Sequence, residues 1–133
     1  MLCWSPALKV GHPIIDAQHE ELFRRLEKLV QAMANGDRTE IGRLFEFLRR
    51  YVADHFQEEE RFMRRTAFPG LVGHEQQHAK FVCEYETLVK AFSDFGPSAF
   101  VTVRATHWIS AWLVNHIGKS DARLAEHLRS VAA

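Results

Sequence analysis

The chain has 133 residues, 47% of them hydrophobic and 26% charged, with 17 Lys plus Arg matched by 17 Asp plus Glu. That length allows one domain around one core, so residues 1–133 are read as a single domain. The zero formal net charge argues against a broad basic footprint for nucleic acid or an anionic membrane. The longest stretch free of formal charge, Ala105 to Gly118, contains His107, Asn115 and His116 and falls short of the ~20 apolar residues that a membrane span needs.

In chain order, Met1-Leu2-Cys3-Trp4-Ser5-Pro6 lacks a basic start followed by an apolar run, so no export signal is expected there. The two cysteines, Cys3 and Cys83, are therefore expected as free thiols in a cytoplasmic protein. An N-terminal arm of some 15 residues leads to a first helix over Ala17–Ala34, with Asp16 as its N-cap. Leu22, Leu26, Leu29, Val30 and Met33 recur there at helical spacing. Gly36 is placed to close this helix in a left-handed cap. Asp37 and Glu40 have the spacing of a capping box for the second helix. That helix is predicted to run to about Arg65, with Ile41, Leu44, Phe45, Leu48, Val52 and Met63 on its inner side, and Pro69 prevents simple continuation. The third helix is expected over Leu71–Ser93, the fourth over Ser98–Ile117, and a short C-terminal helix over Ser120–Arg129. Long helices with short connections read as an all-α, up-down-up-down four-helix bundle. The Leu, Phe and Val stripes are its core.

The departure from an ordinary composition is eight histidines. The second helix contains His55-x-x-x-Glu59 and the third His74-x-x-x-His78. Residues four apart lie about 400° apart around a helix, one turn on along the same face, so each pair can reach a common metal. The first helix adds His19, and the fourth adds His116 with Asp121 five residues later. Glu60, five residues from His55, sits about 140° away and should miss the site. Glu58 is not excluded by geometry, but the four-residue spacing favours Glu59. Each hairpin acts as a ruler folded at its turn, and at about 1.5 Å per residue His19, His55, Glu59, His74, His78 and His116 fall within a few turns of one level. Five imidazoles and two carboxylates buried together without a cation would be costly.

Asp121 is out of phase. Five residues do not share a face with His116 on an ideal helix, and Gly118 between them weakens it. A break or π-bulge between Ile117 and Asp121 is predicted, because one added residue restores the shared face. Of the other histidines, His107 should face away from the site, His127 should lie about three turns beyond it, and His12 belongs to the arm.

These residues resemble the bacterial hemerythrins over nearly the whole chain. The matching stretches are Trp4, Gly11 and Asp16-x-Gln18-His19; then His55-Phe56-x-x-Glu59-Glu60-x-x-Met63 and Pro69; then His74-x-x-x-His78; then Trp112-Leu113-x-x-His116-Ile117-x-x-x-Asp121. The resemblance implies two iron ions as cofactor, joined by an oxo or hydroxo bridge. His74, His78 and His116 would hold one iron and His19 and His55 the other, with Glu59 and Asp121 bridging. The iron with two histidines would keep an open position for dioxygen, and Leu22, Phe56, Trp112, Leu113 and Ile117 would line an apolar oxygen pocket. Two positions depart from the family: Phe68 and Leu124 stand where many members carry tyrosine, which removes any phenol hydrogen bond near the site.

The function expected is reversible dioxygen binding, for storage, delivery or sensing, with no catalytic residues. A di-iron oxidase or peroxidase is the alternative, disfavoured by a ligand set dominated by neutral imidazole. A redox or oxygen signalling module acting through a protein partner is a third.

Overall fold

The structure, a computed structural model, describes residues 4–132. Cys3 lies outside them. The chain is all-helical, with no strand among the described residues. After a 3-10 turn at Pro6–Leu8 come α1 (Pro13–Asn35), α2 (Arg38–Arg65) and α3 (Leu71–Phe95). The fourth rod is composite: α4 (Ala99–Val103), a π segment at Arg104–Ile109, α5 (Ser110–His116), a second π segment at Ile117–Asp121, and α6 (Ala122–Ala132). The backbone stays right-handed helical through every junction in this rod. The expected C-terminal helix is thus α6, continuous with the fourth rod. No helix among the described residues is long and apolar enough to cross a membrane.

Local chemistry sets the ends. Helix α1 starts four residues earlier than the sequence indicated, because Pro13 sits in its first turn with φ already suited to a helix. His12 is the cap, its Nδ1 accepting the N–H of Ile15 at 3.4 Å. Asp16, expected as the cap, instead lies inside the first turn, and its carboxylate accepts the N–H groups of Val10 (2.8 Å) and Gly11 (3.2 Å) of the arm. Gly36 ends α1 at φ 68°, in the left-handed region as expected. Asp37 caps α2 by accepting the N–H of Glu40 at 3.1 Å. Ser98 caps α4 through the N–H of Val101.

The core runs down the bundle axis through Leu22, Leu26, Leu29, Ile41, Phe45, Leu48, Phe81, Tyr85 and Ile109. A smaller cluster of Ile15, Met63, Leu124 and Leu128 closes the other end. Between the two lies a buried polar layer.

The fourth rod has a pattern of its own. Val101, Ala105, Ile109, Leu113, Ile117, Asp121 and Ala125 are all buried, at a strict four-residue interval. On an unbroken α-helix each such step overshoots a turn by about 40°, so six steps would carry the row roughly 240° around the rod. Each π segment absorbs an extra residue, about 100°, and two of them return the row to the core.

Candidate metal centre

The polar layer contains His19, His55, Glu59, His74, His78, His116 and Asp121, none more than 3% exposed. α1 contributes His19. α2 contributes His55 and Glu59, and α3 contributes His74 and His78, each pair one turn apart as their spacing required. α5 ends at His116. Asp121 closes the second π segment, whose extra residue turns it onto the face of His116, as the phase mismatch demanded.

The seven side chains form two adjoining groups sharing both carboxylates. Glu59, His74, His78, His116 and Asp121 make one; His19, His55, Glu59 and Asp121 make the other; in each the potential ligand atoms lie within 4.8 Å of one another. The carboxylate oxygens divide between them. Glu59 Oε1 lies 3.2 Å from His74 Nε2 and 3.1 Å from His78 Nε2. Glu59 Oε2 lies 2.9 Å from His55 Nε2 and 3.4 Å from His19 Nε2. Asp121 Oδ1 faces His74 Nε2 at 3.0 Å and His116 Nε2 at 3.1 Å, while Oδ2 faces His19 Nε2 at 2.9 Å.

Short distances do not make these groups satisfied. Glu59 Oε2, both oxygens of Asp121 and both nitrogens of His19 are buried without a hydrogen-bond partner. The outer edges fix the tautomers. Nδ1 of His78 lies 2.9 Å from the carboxylate oxygen of Glu60. An ionised carboxylate only accepts, so His78 Nδ1 carries the proton, and the lone pair of the neutral ring is on Nε2, pointing inward. Nδ1 of His55 meets Gln18 Oε1 at 2.7 Å, and Nδ1 of His116 meets Gln77 Oε1 at 2.8 Å. Inside, the Nε2 atoms of His78 and His116 are 3.2 Å apart. Nitrogen lone pairs and orphaned carboxylate oxygens converging on one buried point are the donor set of a cation.

Without a cation, protons have to do its work. Burial opposes charge on His19 and His74, but Asp121 and Glu59 beside them outweigh it and raise each pKa from 6.5 to about 9. Burial dominates at His116 and lowers its pKa. Burial also opposes charge on Glu59 and Asp121, yet the imidazoles around them win and hold both below the ordinary carboxylate range. Two carboxylates and two imidazolium rings are close to neutral together.

Of the apolar residues expected to line an oxygen pocket, Leu22, Phe56, Leu113 and Ile117 are buried in the main core and Trp112 packs against it. Leu22 and Ile117 are 1% exposed, and Phe56 and Leu113 are 4%. Phe56 stacks on His78 at 3.7 Å between ring centroids, and half-buried Trp112 stacks on His116 at 4.4 Å. Phe68 lies 6.4 Å from the ring of His74 and Leu124 is fully buried, so neither position offers a hydroxyl. His107 is exposed, as expected. His127 Nε2 lies 3.0 Å from the Thr66 carbonyl, away from the centre. Reading spacing alone missed Gln18, Glu60 and Gln77 as partners of the ring edges. Glu60 does face away from His55, and that phase carries it to the outer edge of His78 on α3.

A four-rod helical bundle whose central layer pairs five imidazoles with two shared carboxylates belongs to the class of dinuclear cation-binding bundles. The chain is a member of the hemerythrin family: the family model for the Hemerythrin HHE cation binding domain matches residues 10–128. It is 36% identical over 124 residues to a bacteriohemerythrin of Methylococcus capsulatus, covering 91% of this chain and 92% of that one. It is 30% identical to a myohemerythrin of Riftia pachyptila, covering 94% and 92%. A crystal structure of wild-type hemerythrin superposes with a TM-score of 0.87 at 30% identity, covering 96% of this chain and 98% of that one.

Proposed function

We propose that residues 1–133 form one domain that binds dioxygen reversibly at a carboxylate-bridged di-iron centre and serves in oxygen storage, delivery or sensing. The observation that carries this is the division of the carboxylate oxygens between a three-histidine set and a two-histidine set. His74, His78 and His116 would hold one iron, His19 and His55 the other, and Glu59 and Asp121 both. Unequal sets leave one ion with fewer protein ligands and so with room for an exogenous one. Two adjacent ferrous ions with a vacant position would supply the electrons that bind dioxygen.

The protein's own part is to keep that position dry and its ligands fixed. Leu22, Phe56, Leu113 and Ile117 exclude water, and with it the protons that would release reduced oxygen from the site. Stacking by Phe56 and Trp112 holds the rings of His78 and His116 in plane. Gln18, Glu60 and Gln77 hold the Nδ1 protons outward, which keeps Nε2 available inside. This is a binding site without a catalytic group, in a protein of the cytoplasm; the exposed, unpaired thiol of Cys83 suits a reducing compartment.

The test is metal analysis with optical spectra, cycled between anaerobic reduced protein and the same sample in oxygen. Two irons per chain, with an absorption band that comes and goes with oxygen over repeated cycles, is the expected result. Oxidation on first exposure with release of peroxide would favour the oxidase or peroxidase reading instead.

A further inference from the structure

The outer edges of the five imidazoles are not treated alike. Those of His55, His78 and His116 are held by protein oxygens, and that of His19 is buried, without a partner among the described residues and closed to solvent. His74 differs. Its side chain is 2% exposed, yet its Nδ1 has no partner among the described residues and is not sealed from solvent. A histidine that binds a metal through Nε2 keeps its proton on Nδ1 and almost always gives it to an acceptor. Here the described residues provide none.

Beside this edge lies a cavity of about 200 Å³, lined by His74, Gln77, Ser120 and Arg123 together with Gly70 and Gly73. Its polar groups are overwhelmingly donors. The Arg123 guanidinium makes no hydrogen bond, ion pair or ring contact with any described residue. Gln77 spends only its carbonyl oxygen, on His116 Nδ1 and on the Ser120 hydroxyl at 2.6 Å, which leaves its NH2 uncommitted. Gly70 and Gly73 belong to the start of α3, a 25-residue helix. The N–H groups of a helix's first turn lack intrahelical acceptors; here that of Leu71 is taken by the Phe68 carbonyl at 3.2 Å, while those of Val72 and Gly73 have no acceptor among the described residues, and the helix dipole favours negative charge there. Among the described residues lining the cavity, none is acidic.

We infer that this cavity binds a small oxyanion of the phosphate type, held by Arg123, the Gln77 amide and the first turn of α3, and accepting the Nδ1 proton of His74. The site is separate from the dioxygen position but touches the same centre through a ligand. Its effect on the centre rests on the proposed function; its existence does not. An anion on His74 Nδ1–H makes the ring a stronger donor to the three-histidine iron and adds negative charge nearby, both of which favour the ferric state.

The test is calorimetric titration of inorganic phosphate into iron-loaded and zinc-loaded protein, at constant ionic strength in chloride. The chains compared are wild type, Arg123→Ala and Gly73→Glu. A Cβ at Gly73 meets nothing within 4 Å, and Glu suits the first turn of a helix, so that variant folds while placing a carboxylate in the cavity. One phosphate per wild-type chain is expected with either metal, weakened at least ~10-fold in Arg123→Ala, as loss of a charge-assisted contact predicts, and absent in Gly73→Glu. Phosphate should also lower the reduction potential of the iron-loaded wild type and leave that of Gly73→Glu unmoved. Equal affinity in all three chains, binding that needs iron and ignores Arg123, or no binding by ~10 mM phosphate would each overturn the inference. A centre that fails to bind dioxygen reversibly would leave these titrations unchanged, so the two readings fail separately.

Discussion

His116 and Asp121, five residues apart, present their side chains to the same point because the backbone between them winds as a π segment, bringing Nε2 within 3.1 Å of Oδ1. Removing Gly118 takes out the extra residue. The chain beyond it then rotates about 100°, carrying Asp121 off the centre and Leu124 and Leu128 off their packing. The deletion should bind less than one metal per chain and melt ~10 °C or more below wild type. Asp121→Asn, which leaves the backbone alone, should lose metal while keeping α6 packed. Metal analysis and thermal circular dichroism on the two variants check this.

Glu59 offers one oxygen to each histidine set, whereas His55 serves only one. Loss of an outer partner costs up to about 100-fold in metal affinity, so loss of a direct ligand shared by both positions should cost at least ~100-fold at each: Glu59→Ala should empty both, and His55→Ala should strip the two-histidine position first. Stepwise titration with a zinc-sensitive dye distinguishes the loss of both ions from the loss of one.

The outer partners differ in charge. Glu60 places a carboxylate behind His78, while His55 and His116 have only amides. A carboxylate acceptor makes the imidazole a stronger donor. Glu60→Gln should raise the reduction potential of the loaded centre and cost roughly 10-fold in metal affinity. Gln18→Glu should act in the opposite sense through His55. Spectroelectrochemistry measures both, and unchanged potentials would show these contacts to be merely structural.

The metal-free protein should depend on pH in a particular direction. His19 and His74 have folded-state pKa values raised from 6.5 to about 9. Their contribution to stability is complete below pH 6.5 and disappears as pH rises through 9. Glu59 and Asp121 have lowered values, so theirs is complete above the ordinary carboxylate range and is lost only in strong acid. His116, whose pKa burial lowers, acts oppositely and costs stability below pH 6.5, so the melting temperature of metal-free protein should peak near pH 6.5 and fall by several degrees towards pH 9. Metal-loaded protein should show little of this alkaline loss. Metal uptake at pH 7 should release protons, and fewer at pH 10. Differential scanning calorimetry and a weakly buffered titration provide the two measurements.

Most of the candidate site is legible in the sequence. Four-residue spacings put His55 with Glu59 and His74 with His78 because a helix admits few alternatives, and the five-residue gap to Asp121 called for a π segment where one occurs. The π segment at Arg104–Ile109 went unread, although the run Val101, Ala105, Ile109, Leu113 carries the same overlong period; without a ligand at stake, four apolar residues look like ordinary core. The start of α1 is hidden in the sequence because Asp16 has the chemistry of a cap, while Pro13, which belongs to the first turn, has the chemistry of a loop. Outer partners such as Glu60 and Gln77 depend on how neighbouring rods face each other, which one rod's periodicity does not encode.

His19, near the start of the chain, and Asp121, near its end, stand 2.9 Å apart. An ion gripped by both would close a loop of about a hundred residues in the unfolding chain, as a disulfide does. Every rod of the bundle would be pinned to that knot, and none of the four could be drawn out whole for a protease without first breaking a metal bond. The lifetime of the chain in a cell would then follow its iron supply: starved of metal, it would be digested within its ordinary turnover, and replete, it would persist.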